Sequence, residues 1–324
     1  MPPAVDLMLA DAVPGWWWIA FTLVAAGAQT ARNAMQKRLT ARLGTLGATH
    51  VRFLYGLPFA TLSLLGLALA TGASVPTPDA AFAGWVALGA SSQIAATALM
   101  LAAMKEKHFV VATAYIKTEP VQVALFALVF LSERLGFAET AAIAIATAGV
   151  VVMSWPSRKP GAETGADGVA RASGDLRALM LGLAAGAAFA VSAVGFKGAI
   201  VSLGQTPFTM AATATLVSGL VLQVLLLSAW LAWRSPTVLR DVFRAWRPSL
   251  AAGFMGALAS QMWFLGFALT STAHVRTLGL VEILFAQIVS RSWLRQRLSA
   301  REAIGICLVA AGVLLLLQAA SAAG

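Results

Sequence analysis

The feature that most constrains this chain is a series of long apolar runs, each bounded by polar or Pro/Gly-rich residues. An α-helix needs roughly 17–25 apolar residues to cross a hydrocarbon layer of about 30 Å. Ten such runs lie along the 324 residues, near 15–36, 47–70, 80–104, 108–131, 136–155, 177–201, 206–233, 249–271, 274–291 and 300–320. We therefore expect an all-α integral membrane protein with ten transmembrane helices.

The composition excludes an ordinary soluble domain. Hydrophobic residues make up 59% of the chain and charged residues 11%, whereas a globular domain carries about 25% charged residues. The sequence has no HExxH, Walker A or GxSxG motif and no Cys/His spacing typical of a metal site. We therefore expect no catalytic residues, no metal, no cofactor and no enzymatic activity.

The net charge of +10 has a topological explanation. If every run crosses the membrane, the loops that follow the odd-numbered helices all lie on one face. The opposite face, which carries both termini, has Arg134 as its only loop cation. The cations of the first face are Lys37, Arg38, Arg42, Lys105, Lys107, Arg158, Lys159, Arg171, Arg177, Arg234, Arg240, Arg244, Arg247, Arg291, Arg295, Arg297 and Arg301. The positive-inside rule predicts that this face is cytoplasmic and that both termini lie outside, in a bacterial-type inner membrane. These cations are expected to meet lipid headgroups and not nucleic acid.

The two halves of the chain repeat each other. A polar linker at 156–176 separates a first repeat, 1–155, from a second repeat, 177–324. Shifts of 160 to 168 residues pair Lys37 with Lys197, Gln93 with Gln261, Glu119 with Glu282, Arg134 with Arg297 and Gly149 with Gly312. Five helices per repeat, an odd number, would invert the second copy in the membrane. Inverted repeats are typical of secondary transporters, and one chain then suffices for a complete pathway, so a monomer is expected to function.

Three short motifs carry a family resemblance. Glu119-Pro120 is followed by Ser132-Glu133-Arg134-Leu135 and then by Ala148-Gly149-Val150. With ten helices arranged as five plus five, the chain resembles the EamA-type branch of the drug/metabolite transporter superfamily. The resemblance implies transport of small metabolites, most often export. It also implies cytoplasmic termini, opposite to the charge count, and the second repeat departs from the pattern because Ile283 replaces the proline.

Three charged residues lie near the middle of their expected spans: Lys117, Glu119 and Glu282. A charge at the centre of a bilayer costs roughly 2.5–3.5 kcal/mol on insertion scales, so such residues are usually functional. One interpretation is a structural ion pair between Lys117 and Glu282. The other is a carboxylate that binds a substrate amine or a proton, with Glu119 the more important acid because a proline follows it.

Further polar and aromatic residues complete the expected substrate site. They are Tyr115, Gln93, Gln261, Trp263, Gln29, Asn33 and Arg32. Interhelical hydrogen bonding is an equally good account of the two repeat-equivalent glutamines. Arg32, Arg52, Lys197 and Arg276 lie near the ends of their spans and are expected to reach the headgroups or to pair locally.

These observations favour a secondary transporter that works by alternating access, with a small-molecule substrate bound between the repeats. Five cations and two acids within the spans favour solutes that carry a carboxylate or phosphate, such as amino acids or organic anions. Protons are the expected coupling ion if a carboxylate titrates. A membrane-embedded enzyme and a channel or lipid-handling protein are the alternatives.

Overall fold

The computed structural model describes residues 13–106, 116–154, 166–285 and 300–322, and within these ranges the chain forms helices and no strand. The helices are α1 (Trp17–Leu54), α2 (Leu57–Thr71), α3 (Ala80–Glu106), α4 (Glu119–Leu131), α5 (Phe137–Ser154), α6 (Ala166–Ser202), α7 (Phe208–Arg234), α8 (Pro236–Arg244), α9 (Trp246–Leu269), α10 (Thr272–Leu278) and α11 (Ala300–Ala322). Residues 281–285 are also helical.

Six helical stretches in the described ranges are long and apolar enough to cross a membrane. Two shorter apolar helices, Glu119–Leu131 and Phe137–Val152, accompany them. The structure therefore confirms the all-α membrane fold but not the count of ten spans.

The first of these stretches is much longer than one crossing requires. It runs over 55 residues, Trp17–Thr71, or about 80 Å of helix, against a hydrocarbon layer of about 30 Å. Gly44, with φ 68° and ψ 179°, breaks α1. Glycine adopts this positive φ without the steric penalty that a Cβ brings. The break divides the stretch into two arms, one on each side of Gly44.

Two helices extend beyond the expected pattern. α6 begins at Ala166, inside the segment expected to be linker, and residues 155–165 lie outside the described ranges. α8 is a short amphipathic helix in the seventh connection. It packs against α1 near the Gly44 break, where a Cβ on Gly47 would lie 3.0 Å from Val238 Cγ1 and 3.5 Å from Val242 Cγ2.

The three main helix–helix contacts follow the symmetry of the two repeats. α1 packs on α9, α3 packs on α6, and α5 packs on α11. Because α1 corresponds to α6 and α3 to α9, exchanging the halves converts the first pair into the second and leaves the third unchanged. The α5–α11 contact shows the same relation, since Cβ atoms on the equivalent Gly149 and Gly312 would each meet backbone of the opposite helix, at 2.7 and 2.6 Å.

Helical breaks occur at corresponding places in the two repeats. Turn residues Lys117 and Thr118 directly precede α4, and turn residues Gly279 and Leu280 separate α10 from the helical segment 281–285. Under the 163-residue shift the two turns coincide to within one residue. Glu119 directly follows the first turn, and Glu282 follows the second after one residue, Val281.

Candidate functional site

An ion pair between the repeats lies at these breaks. Lys117 Nζ is 2.5 Å from Glu282 Oε2, and the two side chains are only 6% and 1% exposed. Lys117 belongs to the first repeat and Glu282 to the second. The pairing that the sequence left as one alternative is thus present in the structure.

Two amides of α1 complete the shell around Glu282. Gln29 Nε2 donates to Glu282 Oε2 at 2.7 Å, and Asn33 Nδ2 donates to Glu282 Oε1 at 3.1 Å. Gln29 and Asn33 are four residues apart, so they lie on one face of the helix. Glu282 therefore accepts from one cation and two amides.

The oxygen of each amide accepts a hydrogen bond from a larger side chain. Gln29 Oε1 accepts from Trp263 Nε1 at 3.0 Å. Asn33 Oδ1 accepts from Arg32 Nη2 at 2.6 Å and from Arg32 Nε at 3.1 Å. The polar network thus joins α1, α9 and the segment that carries Glu282.

Glu119 has a cationic partner from the opposite repeat. Arg276 Nε lies 3.2 Å from Glu119 Oε1, although the contact lacks hydrogen-bond geometry. The Arg276 guanidinium also lies over the Trp263 ring, 4.6 Å from its centroid, in a cation–π contact. Each acid is therefore paired with a cation of the other repeat.

Arg52 extends the site toward α3 and α9. Its Nη1 donates to Thr97 Oγ1 at 2.9 Å and its Nη2 donates to Ser260 Oγ at 3.3 Å. Thr97, Ser260 and Arg52 are all buried. The sequence did not select Arg52 or Arg276 for the site.

Of the two alternatives expected for Arg32, Arg52 and Arg276, reaching the headgroups or pairing locally, the structure shows side chains that are buried and paired inside the bundle. Their exposed fractions are 0%, 3% and 7%. Arg52 lies about 10 Å along the second arm of α1, seven residues past Thr45, and so is not at the start of its helix. The sequence signal that could have selected Arg52 and Arg276 was the presence of a basic residue inside an apolar run.

The structure gives the two glutamines other partners. Gln93 Oε1 accepts from Gln223 Nε2 at 2.9 Å, and Gln261 Nε2 donates to Thr213 Oγ1 at 3.0 Å. Both partners lie on α7, as interhelical hydrogen bonding predicts. Neither glutamine contacts Glu119 or Glu282 through these bonds, and Tyr115 lies outside the described residues.

A second polar cluster joins the repeats at the end of α1 where the N-terminus lies. Glu139 Oε1 is 2.6 Å from His274 Nε2, and the His274 ring stacks on Trp18 with centroids 6.0 Å apart. Glu133 accepts from the backbone N–H and the hydroxyl of Thr272 at 3.1 and 3.3 Å. We call these four residues, Glu133, Glu139, Thr272 and His274, the terminal-face latch.

A cavity of about 330 Å³ lies beside the latch. It is lined by Leu131, Glu133, Lys197, Val201 and Ser271. Lys197 Nζ donates to the Phe267 and Thr270 carbonyls, at 2.5 and 3.1 Å. The lysine thereby caps carbonyls at the C-terminal end of α9.

The sequence profile of the EamA-like transporter family matches residues 16–155 and again residues 176–318, one match for each half of the chain. The chain belongs to the EamA-like transporter family. The double match confirms the family resemblance and the two repeats. This EamA-like protein is therefore a multi-pass membrane transporter, and the family comprises transporters and not enzymes.

Among solved structures, one that is titled "Crystal structure of protein" has the same fold. It aligns with a TM-score of 0.62 at 15% identity, over 94% of this chain and 96% of that chain. At that identity the likeness concerns the fold alone. No curated protein sequence matches this chain significantly.

Proposed function

We propose that this EamA-like protein is a secondary transporter of small metabolites that binds its substrate between the two repeats. The observation that carries the proposal is the reciprocal pairing of Lys117 with Glu282 and of Arg276 with Glu119. Each pair joins one repeat to the other. A change in the relative position of the repeats would alter both pairs at once.

The helical breaks support a binding role for this region. Broken helices place free backbone groups at membrane depth, and such backbone is tolerated only where it is buried in protein or lines an aqueous path. In transporters built from inverted repeats, the substrate site lies at such breaks. Glu119 directly follows one break of this chain, and Glu282 lies two residues after the other.

Alternating access is the mechanism that we infer. The exchange of the α1–α9 and α3–α6 pairs is what an inverted repeat with a two-fold axis in the membrane plane would produce. The terminal-face latch joins the repeats on one face. In the proposed cycle the latch breaks when the site opens toward the termini and reforms when the site opens to the other side.

The substrate class follows from the chemistry of the site. Amino acids and related organic anions are small enough to lie between helices and carry the carboxylate that buried cations recognise. We propose that the protein exports these solutes across the cytoplasmic membrane. In the proposed orientation the basic loops lie inside and both termini lie outside. A proton would couple to transport through Glu282 or Glu119.

Counterflow in proteoliposomes tests the proposal. The purified protein is reconstituted with a high internal concentration of an unlabelled solute, and a trace of the labelled solute is added outside. A carrier concentrates the label transiently, whereas a channel only equilibrates it. Failure to accumulate label with a panel of amino acids and organic acids would contradict the carrier mechanism.

A further inference from the structure

We propose that Arg32 and Arg52 form an oxyanion subsite, which binds a carboxylate or phosphate group of the transported solute. The inference rests on the proposed function and narrows it, because it names the residues that select an anion. Both arginines belong to α1. They differ from Lys117 and Arg276, each of which lies in an ion pair with an acid.

Arg32 keeps an unused donor in the interior. Its side chain is fully buried, and its Nε and Nη2 both donate to the neutral amide of Asn33. Its Nη1 has no hydrogen-bond partner. A buried guanidinium nitrogen without an acceptor is a position that a ligand oxygen can satisfy.

Arg52 is held by hydroxyl groups and not by an acid. Its two terminal nitrogens donate to the hydroxyl oxygens of Thr97 and Ser260, and the side chain is 3% exposed. Hydroxyl groups orient a guanidinium but do not neutralise it. Within the described ranges no carboxylate forms an ion pair with Arg32 or Arg52.

Gly256 brings the two arginines together. A Cβ at this position would lie 3.2 Å from Arg52 Cγ and 3.3 Å from Arg32 Cδ, so both side chains pass over the same glycine of α9. Arg52 lies close enough to Arg32 and Arg276 to be repelled by both, and Arg32 is in turn attracted by Glu282, with which it forms no ion pair. The arrangement concentrates positive charge in one buried region.

The charge balance of the site is uneven. Among the residues that the structure describes, the buried Lys and Arg side chains are Arg32, Arg52, Lys117 and Arg276, and the buried acids are Glu119 and Glu282. The acids are matched by Lys117 and Arg276. Two positive charges therefore remain for a ligand, and a solute with one or two negative charges offsets them.

The ligand is a solute and not a lipid headgroup. Arg32 and Arg52 lie inside the bundle, where α1 faces α3 and α9, and neither guanidinium is exposed on the outer surface. A headgroup phosphate binds at the bundle surface, where its acyl chains remain in the membrane. A free carboxylate or phosphate has no such restriction.

A matched series of probes tests the subsite on the purified full-length protein. Propionate, succinate and inorganic phosphate are the anions, propionamide is the neutral isostere and propylamine is the cation. Binding is measured as the saturable rise in melting temperature. We expect a rise with at least one anion and none with propionamide or propylamine. Stabilisation by propylamine alone, or by phosphatidylglycerol in mixed micelles but by no soluble anion, would overturn the inference.

Variants assign the effect to the two arginines. Arg32→Gln and Arg52→Gln are each expected to raise the apparent Kd for the anion about tenfold or more. Arg42→Gln is the matched control because Arg42 is exposed and lies on the same helix. If a glutamine variant fails to fold, Arg32→Lys and Arg52→Lys keep the charge but lose the forked geometry, and weaker anion binding is again expected. Unchanged affinity in the folded variants would refute the subsite.

Counterflow separates this inference from the proposed function. If the wild type exchanges neutral or cationic solutes and the Arg32→Gln and Arg52→Gln variants exchange them equally well, the subsite is wrong and the carrier stands. If anions bind through the arginines but no solute shows counterflow, the carrier is wrong and the subsite stands.

Discussion

Lys117 Nζ lies 2.5 Å from Glu282 Oε2 and joins the first repeat to the second in the protein interior. Glu282 is also the acceptor for Gln29 and Asn33. A substrate amine that bound Glu282 Oε2 would compete with the lysine. The pair therefore links the stability of the bundle to the chemistry of the site.

We predict energetic coupling between Lys117 and Glu282. Glu282→Gln leaves a buried ammonium without its counter-charge and is expected to lower the free energy of unfolding by about 3 kcal/mol. The double variant Lys117→Gln/Glu282→Gln should lose less than the sum of the single variants, with a coupling energy of about 1–3 kcal/mol. Unfolding in mixed detergent micelles measures all three variants. Strict additivity would show that the two residues do not interact.

We also predict that Glu282→Gln reduces counterflow more than Glu119→Gln does. Glu282 accepts from three side chains, whereas Glu119 has one ion contact without hydrogen-bond geometry. This order reverses the expectation from sequence, which favoured Glu119 because Pro120 follows it. Counterflow rates of the two variants, normalised to reconstituted protein, decide the order. A larger loss of counterflow with Glu119→Gln would instead favour Glu119 as the more important acid, as the sequence predicts from Pro120.

Much of the site was predictable because charge is costly in a membrane. The sequence selected Lys117, Glu119 and Glu282 from their depth, Gln29 and Asn33 from their four-residue spacing, and Arg32 because it lies beside them. All six lie in or beside the ion-pair network. Their selection needed only the apolar runs and the four-residue helical period.

Arg52 and Arg276 were missed because depth was judged from the ends of apolar runs. α1 continues past Gly44 into a second arm, which places Arg52 well inside the bundle. Arg276 lies on a short helix packed under Trp263, a contact that sequence spacing does not reveal. Similarly, Gln93 and Gln261 are equivalent in sequence, but their partners on α7 follow from the tertiary packing.

The α5–α11 contact depends on glycine. A Cβ at Gly149 would lie 2.7 Å from the Gly305 carbonyl oxygen and 2.7 Å from the Val309 nitrogen, and neither backbone atom can move alone. Gly149→Ala is therefore expected to lower stability by about 1–3 kcal/mol. Gly27→Ala is the control because nothing lies within 4 Å of its added Cβ. Equal melting temperatures for the two variants would contradict the close helix contact.

The proposed orientation has its own test. Ser157→Cys in the linker and Ser321→Cys near the C-terminus are introduced separately into a Cys307→Ala background. We expect a membrane-impermeant maleimide to label Ser321→Cys, but not Ser157→Cys, in intact cells, because the basic loops are predicted to face the cytoplasm. The opposite labelling pattern would place both termini inside, as the family resemblance implies.

The most direct test of the central claim, that the two repeats move against each other around one site, uses the terminal-face latch. Glu139→Cys and His274→Cys are combined in the Cys307→Ala background and bridged with a bifunctional methanethiosulfonate reagent. We predict that the bridge stops counterflow and that reduction restores it, while each single cysteine variant is insensitive to the reagent. Full counterflow through the quantitatively bridged protein would contradict alternating access at this face.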